Sequence, residues 1–309
     1  MTGTLEQRPF GRTGETVSVI GLGGAALHKH SYQHGLATVK HALDLGISYF
    51  DTSPLYGIGG PDGRWISQGE SQRIVGEGLE GTSKPHLLAT KIGAWQASNH
   101  SVEDCLAEVR DNLRILRRDR VDVLLGHDME QRRFWKPEAN TGELLEIDEP
   151  LDYENAPVMQ ALREEKAQGL CRYIGLSSNQ SAPLAHVLNR AKLDMCLPGN
   201  EYSLMDRRSP RVMLPVIREQ GIAYVIGGIF SVPGRGVVNG ALFSDERLIK
   251  LAETTGISIA ALTVRFLIAN KELSTILVGA STPEELEESV VAAQAGPLPP
   301  DIQQTLEEL

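Results

Sequence analysis

Short apolar runs alternate along this chain with longer segments whose apolar residues recur at helical spacing. The short runs are rich in β-branched and aromatic residues and cover residues 17–22, 48–52, 87–91, 121–125, 171–176, 194–197, 223–227 and 275–278. The helical segments include 37–45, 102–116, 158–168, 183–191, 211–219, 246–253, 259–270 and 284–293. This alternation predicts a parallel sheet whose strands are joined by helical crossovers.

The number of these βα units predicts the architecture. Eight units within 309 residues are typical of a closed (β/α)₈ TIM barrel, an α/β fold. We predict one barrel domain over residues 1–309, preceded by a short N-terminal β-hairpin. An open doubly wound sheet is the alternative, since Gly21-Leu22-Gly23-Gly24 resembles the glycine-rich turn of that fold and Asp51 ends the second strand.

Three polar residues each end one of the apolar runs, and a tyrosine follows the first of them closely. Asp51 follows Tyr49-Phe50 and leads to Tyr56, Lys91 follows a run of apolar residues and Thr90, and His127 follows Leu124-Leu125-Gly126. In a parallel barrel the carboxyl ends of the strands meet at one rim. We therefore expect these four side chains to converge there, which favours the barrel over the open sheet.

Their chemistry predicts a tuned acid or base. A phenol has a pKa of about 10 and is a poor acid or base near neutrality. We expect Lys91 to lower the pKa of Tyr56, Asp51 to keep Lys91 charged, and His127 to orient a substrate oxygen. The sequence predicts Tyr56 as the general acid/base and assigns no residue to a metal, because His127-Asp128 has no third ligand at metal spacing.

These residues carry a family resemblance. The octapeptide Phe-Asp-Thr-Ser-Pro-Leu-Tyr-Gly at 50–57, Ala89-Thr90-Lys91 and His127 resemble, in order, the motifs of the aldo-keto reductase superfamily over residues 10–290. Within it the chain most resembles the sugar 1-dehydrogenases, such as L-galactose, L-fucose and D-threo-aldose dehydrogenases. The segments that carry this closer resemblance are His-Asp-Met-Glu at 127–130, Gly-Asn-Glu-Tyr-Ser-Leu at 199–204 and Gly-Gly-Ile-Phe at 227–230.

The resemblance implies hydride transfer between nicotinamide and a small sugar. We expect NAD-dependent oxidation of an aldose at C1 to the aldonolactone, with Tyr56 taking the hydroxyl proton. An NADPH-dependent aldehyde or ketone reductase is an alternative, and a non-catalytic nicotinamide-sensing subunit is another.

The resemblance also implies which residues bind the cofactor, and some of these residues differ from those usual in the family. Gly279 and Glu285 stand where NADPH-using relatives have a lysine and an arginine on the 2′-phosphate, so we expect NAD rather than NADP. Glu285 has two interpretations that stay open: acceptor for a ribose hydroxyl, or a favourable first-turn helix residue. The other residues expected at the cofactor are Gly23, Ser178, Asn179, Gly199, Gly227, Phe230, Ser231, Ser281 and Ser289.

Substrate residues are expected in the loops at the rim. His28, Trp65, Trp95 and Trp135 are candidates, although loop histidines are more often exposed and loop tryptophans often fill gaps. The long loop 128–153 is expected to cover the substrate as a lid. It mixes aromatic, basic and acidic residues, and we expect its partial deletion to spare folding.

Composition limits the kinds of binding partner and the compartment that we expect for this protein. A net charge of −10 disfavours nucleic acid, and no apolar run reaches the length of a membrane span. The three cysteines suit a reducing compartment, and the N-terminus shows no apolar leader, so we expect a cytoplasmic protein. The sequence leaves the sugar and the oligomeric state undetermined.

Overall fold

Eight parallel strands close into a barrel, as the alternation predicted. The computed structural model describes residues 4–57, 69–93, 101–140, 142–234 and 238–309. Within these, the barrel strands are β3 Ile20–Gly23, β4 Tyr49–Asp51, β5 Leu87–Ile92, β6 Val121–Gly126, β7 Cys171–Ser178, β8 Met195–Pro198, β9 Ala223–Ile226 and β10 Thr275–Val278. Each strand pairs with the next along the chain, and β10 closes on β3, with Leu277 opposite Gly21.

A two-stranded antiparallel hairpin precedes the barrel and covers its amino-terminal end. It consists of β1 Gln7–Pro9 and β2 Thr16–Ser18, so the predicted run 17–22 is divided between the hairpin and the barrel. Phe10, fully buried, packs on Tyr49 and Tyr173 with ring centroids 5.6 and 5.9 Å away. The hairpin therefore closes the end of the barrel opposite the rim that carries the polar residues.

Helices surround the barrel in the predicted order. They are α1 Tyr32–Asp44, α2 Glu70–Gly78, α3 Val102–Leu116, α4 Pro157–Ala167, α5 Ser181–Leu188, α6 Arg208–Gln220, α7 Glu246–Thr255, α8 Ile259–Ile268, α9 Pro283–Gln294 and α10 Pro300–Glu307. Helix α1 begins five residues earlier than expected, because Ser31 caps it by accepting a hydrogen bond from the His34 N–H. Neither α2 nor the terminal α10 is among the helical segments predicted above, and in α10 only Leu306 is fully buried.

The core has two parts, as a barrel requires. One fills the space between the strands and the outer helices. The other fills the barrel interior with side chains that include Tyr49, Leu87, Ala89, Val123, Leu125, Met195, Leu197, Ala223, Val225 and Leu277. The interior is thus packed solid, and only its carboxyl-terminal rim is available for chemistry.

No single helix of the described segments has both the length and the apolar character to cross a membrane. The pair α7 and α8 reaches that length and composition only when taken together, and the two helices meet at 88°.

Candidate active site

The alternation of side chains along the strands brings the site residues to one layer. Residues two apart on a strand face the same side. Tyr49, Ala89 and Leu125 face the barrel interior, so the residues two positions after them, their successors, lie on the rim above them. Around half of the rim these successors are Asp51, Lys91, His127 and Ser177, which we call the polar arc. Around the other half they are Gly199, Gly227, Gly279 and Gly23, which we call the glycine arc.

A buried ion pair stands at the centre of the polar arc. The Lys91 ammonium donates to Asp51 Oδ1 at 2.5 Å and to the Thr52 carbonyl at 2.9 Å, and both side chains are almost fully buried. Burial raises the pKa of Asp51 and lowers that of Lys91, and in each case the partner's opposite charge acts against the shift. Each charge depends on the other, because removal of either partner would leave a buried charge uncompensated.

Two helices behind the strands hold the backbone of Lys91. The Asn112 amide, from α3, donates to the Lys91 carbonyl at 2.8 Å. The Gln72 amide, from α2, donates to Asn112 Oδ1 and to Thr90 Oγ1, both at 2.9 Å. Through these buried hydrogen bonds, helices α2 and α3 determine the direction in which the Lys91 side chain points.

Tyr56 lies over this ion pair, in the turn that follows β4. Its backbone N–H donates to the Ser53 carbonyl at 3.2 Å, and its carbonyl accepts from Ser71 at 3.0 Å. The Lys91 Nζ is 4.8 Å from the centre of the Tyr56 ring, and the His127 ring meets that ring edge-on at 5.7 Å. The four predicted catalytic residues are therefore in contact.

The prediction that Lys91 lowers the Tyr56 pKa is wrong. Burial raises the pKa of Tyr56 well above its usual value, and the negative charges of Asp51 and Asp128 raise it further. Lys91 does not offset this, because its charge is balanced by Asp51 at 2.5 Å. Tyr56 is therefore a neutral hydrogen-bond donor at physiological pH.

His127 is neutral as well. Burial lowers the pKa of His127 to about 4; Asp128 acts to raise this pKa and Lys91 to lower it further. Its Nδ1 lies 3.1 Å from Ser53 Oγ, a hydroxyl that also accepts from the Leu55 N–H. With Nδ1 bound to Ser53, Nε2 is the nitrogen left to meet a substrate oxygen.

The rim contains polar residues that the sequence analysis did not assign to the site. Ser53 orients His127, and Asp128 and Glu130 bind the Asn179 amide. Ser53 lies within the octapeptide at 50–57, and both acids lie in the segment 127–130 that carried the sugar-dehydrogenase resemblance. A search of those motifs for buried polar residues would have found them.

The glycine arc suits a planar cofactor ring. A Cβ added at Gly227 would meet nothing closer than Leu197 Cδ2 at 3.4 Å, and one added at Gly279 only Ala26 Cβ at 3.9 Å. The space above these positions is therefore open over an apolar floor. Beside it, the buried Asn200 Oδ1 has no hydrogen-bond partner among the described residues, which leaves an acceptor for an amide N–H. These features fit a nicotinamide ring, whose holders would be the glycine arc and Asn200.

Several predicted cofactor residues use their polar groups within the protein. Ser178 Oγ donates to the Gln180 carbonyl, Ser231 Oγ to the Asn200 carbonyl, and Ser289 Oγ to the Glu285 carbonyl. Asn179 donates both amide hydrogens to carboxylates. Phe230 packs against Phe243 with ring centroids 5.4 Å apart. Ser178, Ser231 and Asn179 shape the rim, and any contact of these residues with a cofactor stays a prediction.

The turn after β10 begins helix α9 with a side-chain cap. Thr282 accepts the Glu285 N–H, with Pro283 in the first turn. Glu285 Oε2 in turn accepts from the Ser281 N–H and hydroxyl, both at 2.8 Å. Burial acts to raise the pKa of Glu285, but these hydrogen bonds outweigh it and lower that pKa. Glu285 is exposed, so its charge lies at the surface beside Ser281.

Trp135 does not have the role predicted for it. Its indole is 5% exposed, donates to the Met129 carbonyl at 2.8 Å and packs edge-on against Tyr153. It stabilises the loop 128–153 from inside, together with the buried Phe134 and Leu145. Partial deletion of this loop would remove these buried side chains, so it should destabilise the fold, contrary to the expectation from the sequence.

The remaining substrate candidates divide into two groups. His28 is half-buried in the segment between β3 and α1, and burial lowers its pKa. Its Nδ1 is buried and has no hydrogen-bond partner in the described parts of the chain. Trp65 and Trp95 lie outside the described residues.

The three cysteines are buried and unbridged. Burial raises the pKa of Cys105 and of Cys171 to about 12, so neither thiol is reactive. Among the described residues no group of three or more histidines, cysteines and acids is arranged to hold a metal ion.

Comparison with known proteins agrees with this geometry. The chain matches the Aldo/keto reductase family over residues 19–309. It is 29% identical to L-galactose dehydrogenase of Arabidopsis thaliana, over 93% of this chain and 88% of that protein. It is 25% identical to pyridoxal 4-dehydrogenase of Microbacterium luteolum, over 93% and 92%.

Among solved structures it resembles the holo form of the aldo-keto reductase AKR11C1 from Bacillus halodurans. The TM-score is 0.73 at 25% identity, covering 98% of this chain and 96% of that one. With the (β/α)₈ barrel, the tyrosine–lysine–aspartate–histidine cluster and the family match together, the chain belongs to the aldo/keto reductase family of nicotinamide-dependent oxidoreductases.

Proposed function

We propose that this protein is an NAD-dependent aldose 1-dehydrogenase, which oxidises the anomeric hydroxyl of a cyclic sugar to the lactone. The observation that carries the proposal is the placement of Tyr56 and a neutral His127 over the Lys91–Asp51 pair, across the rim from the glycine arc. A hydroxyl bound between Tyr56 and His127 would present its carbon to a ring lying on the glycine arc.

Tyr56 and the residues of the polar arc have separate roles in the proton transfer. In this direction Tyr56 acts as the phenolate, after its own proton has left to solvent: the hydroxyl proton passes to the phenolate oxygen, the C1 hydrogen leaves as hydride, and a C=O double bond forms at C1. Bound nicotinamide supplies the hydride acceptor and, in its oxidised form, a positive charge that favours the phenolate. Lys91 and Asp51 keep the phenol in place, and His127 Nε2 holds the reacting oxygen.

A sugar is supported as the substrate by the similarity to L-galactose dehydrogenase over most of both chains. The site adds a physical reason, since its polar arc continues into the buried carboxylates of Asp128 and Glu130 and the exposed amide of Asn179 that binds both. Buried acceptors of this kind suit a substrate with several hydroxyls.

NAD is supported over NADP by the turn after β10. A 2′-phosphate brings about two negative charges, and Glu285 presents a third at the position where relatives have an arginine. Gly279 supplies no compensating charge. A free 2′-hydroxyl can instead donate to the exposed carboxylate.

Carbonyl reduction is the second candidate, and the Tyr56 pKa favours it. A phenol whose pKa is raised by burial is a good donor to a carbonyl oxygen and a poor base. The reduced cofactor brings no positive charge to lower that pKa, so the reductive direction uses Tyr56 in the protonation state that the protein itself favours.

The test is a set of initial rates. A panel of aldoses is offered with NAD and with NADP, and a panel of simple aldehydes with NADH and with NADPH. Aldose oxidation with kcat/KM higher for NAD supports the proposal. Turnover of aldehydes alone supports the second candidate, and absence of turnover with either panel contradicts both.

A further inference from the structure

Asp128 occupies a special position next to the reacting groups. It follows His127 directly, is 7% exposed, and has a left-handed backbone with φ of 53°. The backbone is held there by hydrogen bonds from the His127 N–H to the Ile92 carbonyl at 2.7 Å and from the Met129 N–H to the Ser177 carbonyl at 2.9 Å. A non-glycine residue in this conformation is uncommon, although aspartate and asparagine adopt it more readily than others.

The side-chain amide of Asn179, an exposed residue, binds one oxygen of this carboxylate. Asn179 Nδ2 donates to Asp128 Oδ1 at 3.1 Å and to Glu130 Oε1 at 3.0 Å, which uses both amide hydrogens. The Asn179 N–H donates to Glu130 Oε2 at 3.1 Å, and Asn179 Oδ1 accepts from Asn200 at 2.8 Å. Because the backbone N–H and both polar side-chain atoms of Asn179 are used, a network of hydrogen bonds ties Asp128 Oδ1 to the end of β7.

The same oxygen lies close to His127, but not in contact. Asp128 Oδ1 is 3.7 Å from His127 Nε2, too far for a hydrogen bond between them. A hydroxyl oxygen about 2.8 Å from each atom spans such a gap. Two neighbouring hydroxyls of a sugar also fit, one bound to His127 and the next to Asp128.

The charge of Asp128 acts on all the reacting groups. It raises the pKa of Tyr56 and acts to raise the pKa values of His127 and Lys91 against the effect of burial. From the other side the buried Arg133 and Glu130 interact with it electrostatically. A carboxylate so close to the reaction centre therefore affects both substrate binding and proton transfer, and the two effects must be separated.

We propose that Asp128 accepts a hydrogen bond from the hydroxyl on the carbon adjacent to the reacting carbon, and so selects 2-hydroxylated substrates over those that lack this hydroxyl. The inference rests on the proposed function, since it concerns the same bound sugar. It makes Asp128 a specificity-determining residue in addition to the four catalytic ones.

The test compares paired substrates that differ only in that hydroxyl. An aldose and its 2-deoxy analogue are offered with NAD, and glycolaldehyde and acetaldehyde are offered with NADH. The variants are Asp128→Asn and Asp128→Gly, because both residues tolerate the left-handed backbone. Thermal unfolding and an NADH titration confirm that each variant folds and binds cofactor.

We expect the wild type to prefer the hydroxylated member of each pair by about 10- to 100-fold in kcat/KM, the value of a hydrogen bond to a charged group. Asp128→Gly should abolish the preference and Asp128→Asn should reduce it, because an effect on proton transfer changes both members of a pair equally and cancels in their ratio. Glu130→Gln removes a carboxylate from the same amide without removing Asp128, so it should retain the preference whatever its absolute rates.

Two results would overturn the inference. One is a wild type that shows no preference for the hydroxyl in either pair. The other is an equal fall of both members of a pair in the two variants, which would mean that Asp128 only positions His127. Failure of the aldose pair alone, with preference for glycolaldehyde retained, would contradict the proposed direction and sugar but support the role of Asp128.

Discussion

The polar arc and the glycine arc share one barrel rim but are specified in different ways. In the polar arc each side chain is held by another: Lys91 by Asp51, and His127 by Ser53. In the glycine arc the space is defined by side chains that are missing, and the nearest neighbours of an added Cβ at Gly227 are side-chain carbons of the barrel core.

The difference shows how a barrel separates chemistry from shape. Buried charges require partners and hydrogen bonds, so a catalytic arrangement is costly unless it is complete. An open space at the rim requires only that the neighbouring side chains pack well without another side chain filling that space. We therefore expect substitutions in the polar arc to change rates and stability strongly, and substitutions in the glycine arc to change cofactor affinity with little effect on stability.

The largest effect should come from Tyr56→Phe. Removal of a positioned proton donor should lower kcat by ~10²- to 10⁴-fold, while NADH affinity, which depends on the glycine arc, stays within about twofold of the wild type. Steady-state kinetics and a fluorescence titration of NADH measure the two quantities. A variant with nearly normal kcat would remove Tyr56 from the mechanism.

Lys91→Met should cost stability as well as activity. It leaves the buried Asp51 carboxylate unpaired, at about 3–5 kcal/mol of unfolding free energy near neutral pH. Burial raises the folded-state pKa of Asp51, and more so without Lys91, so the loss is absent below the unfolded pKa of about 4 and grows as pH rises. Urea unfolding at pH 5 and pH 8 should therefore show the variant less stable at the higher pH, relative to wild type.

The double variant Asp51→Asn/Lys91→Met is the matched control. It has no buried carboxylate at this place, so its stability relative to wild type should depend less on pH than that of Lys91→Met. An equal loss for Lys91→Met at both pH values would show that the ion pair is not the cause.

Gly23→Val tests the other arc. Gly23 has φ −87° and ψ 119°, which suit any residue, and an added Cβ would meet Leu277 Cβ at 3.4 Å. The valine methyl groups would extend over the floor, so the dissociation constant of NADH should rise about 10- to 100-fold, the equivalent of an overpacking cost of about 1–3 kcal/mol. Gly23→Ala should have a much smaller effect. Unchanged NADH affinity in the valine variant would mean that the ring lies elsewhere.

The smallest effect should come from Glu285→Arg. Replacing the exposed carboxylate by a cation should improve kcat/KM with NADP relative to NAD by about 1 kcal/mol, roughly fivefold, because the contact is solvent-exposed. Glu287→Arg makes the same charge change farther along α9 and should have less effect. If both variants shift the ratio equally, the effect is one of general charge.

Much of this protein is determined by local sequence pattern. The periods of two and 3.6 predicted all eight barrel strands and the order of the helices, and the polar residues at the strand ends predicted that Asp51, Lys91 and His127 converge. These predictions succeed because strand alternation and chain order are sufficient to place a residue on the rim of a parallel barrel. The cap at Thr282 was predictable for the same reason, since it depends on neighbours within one turn.

Other properties were decided only by the tertiary structure. The Tyr56 pKa moves up rather than down because burial and two carboxylates outweigh a lysine whose charge is already balanced. Trp135 packs inside its loop because its indole donates to the Met129 carbonyl and contacts the Tyr153 ring edge-on. Asn179 binds two carboxylates that lie 49 and 51 residues away. Each outcome depends on desolvation and on partners distant in the chain, and a one-dimensional pattern contains neither.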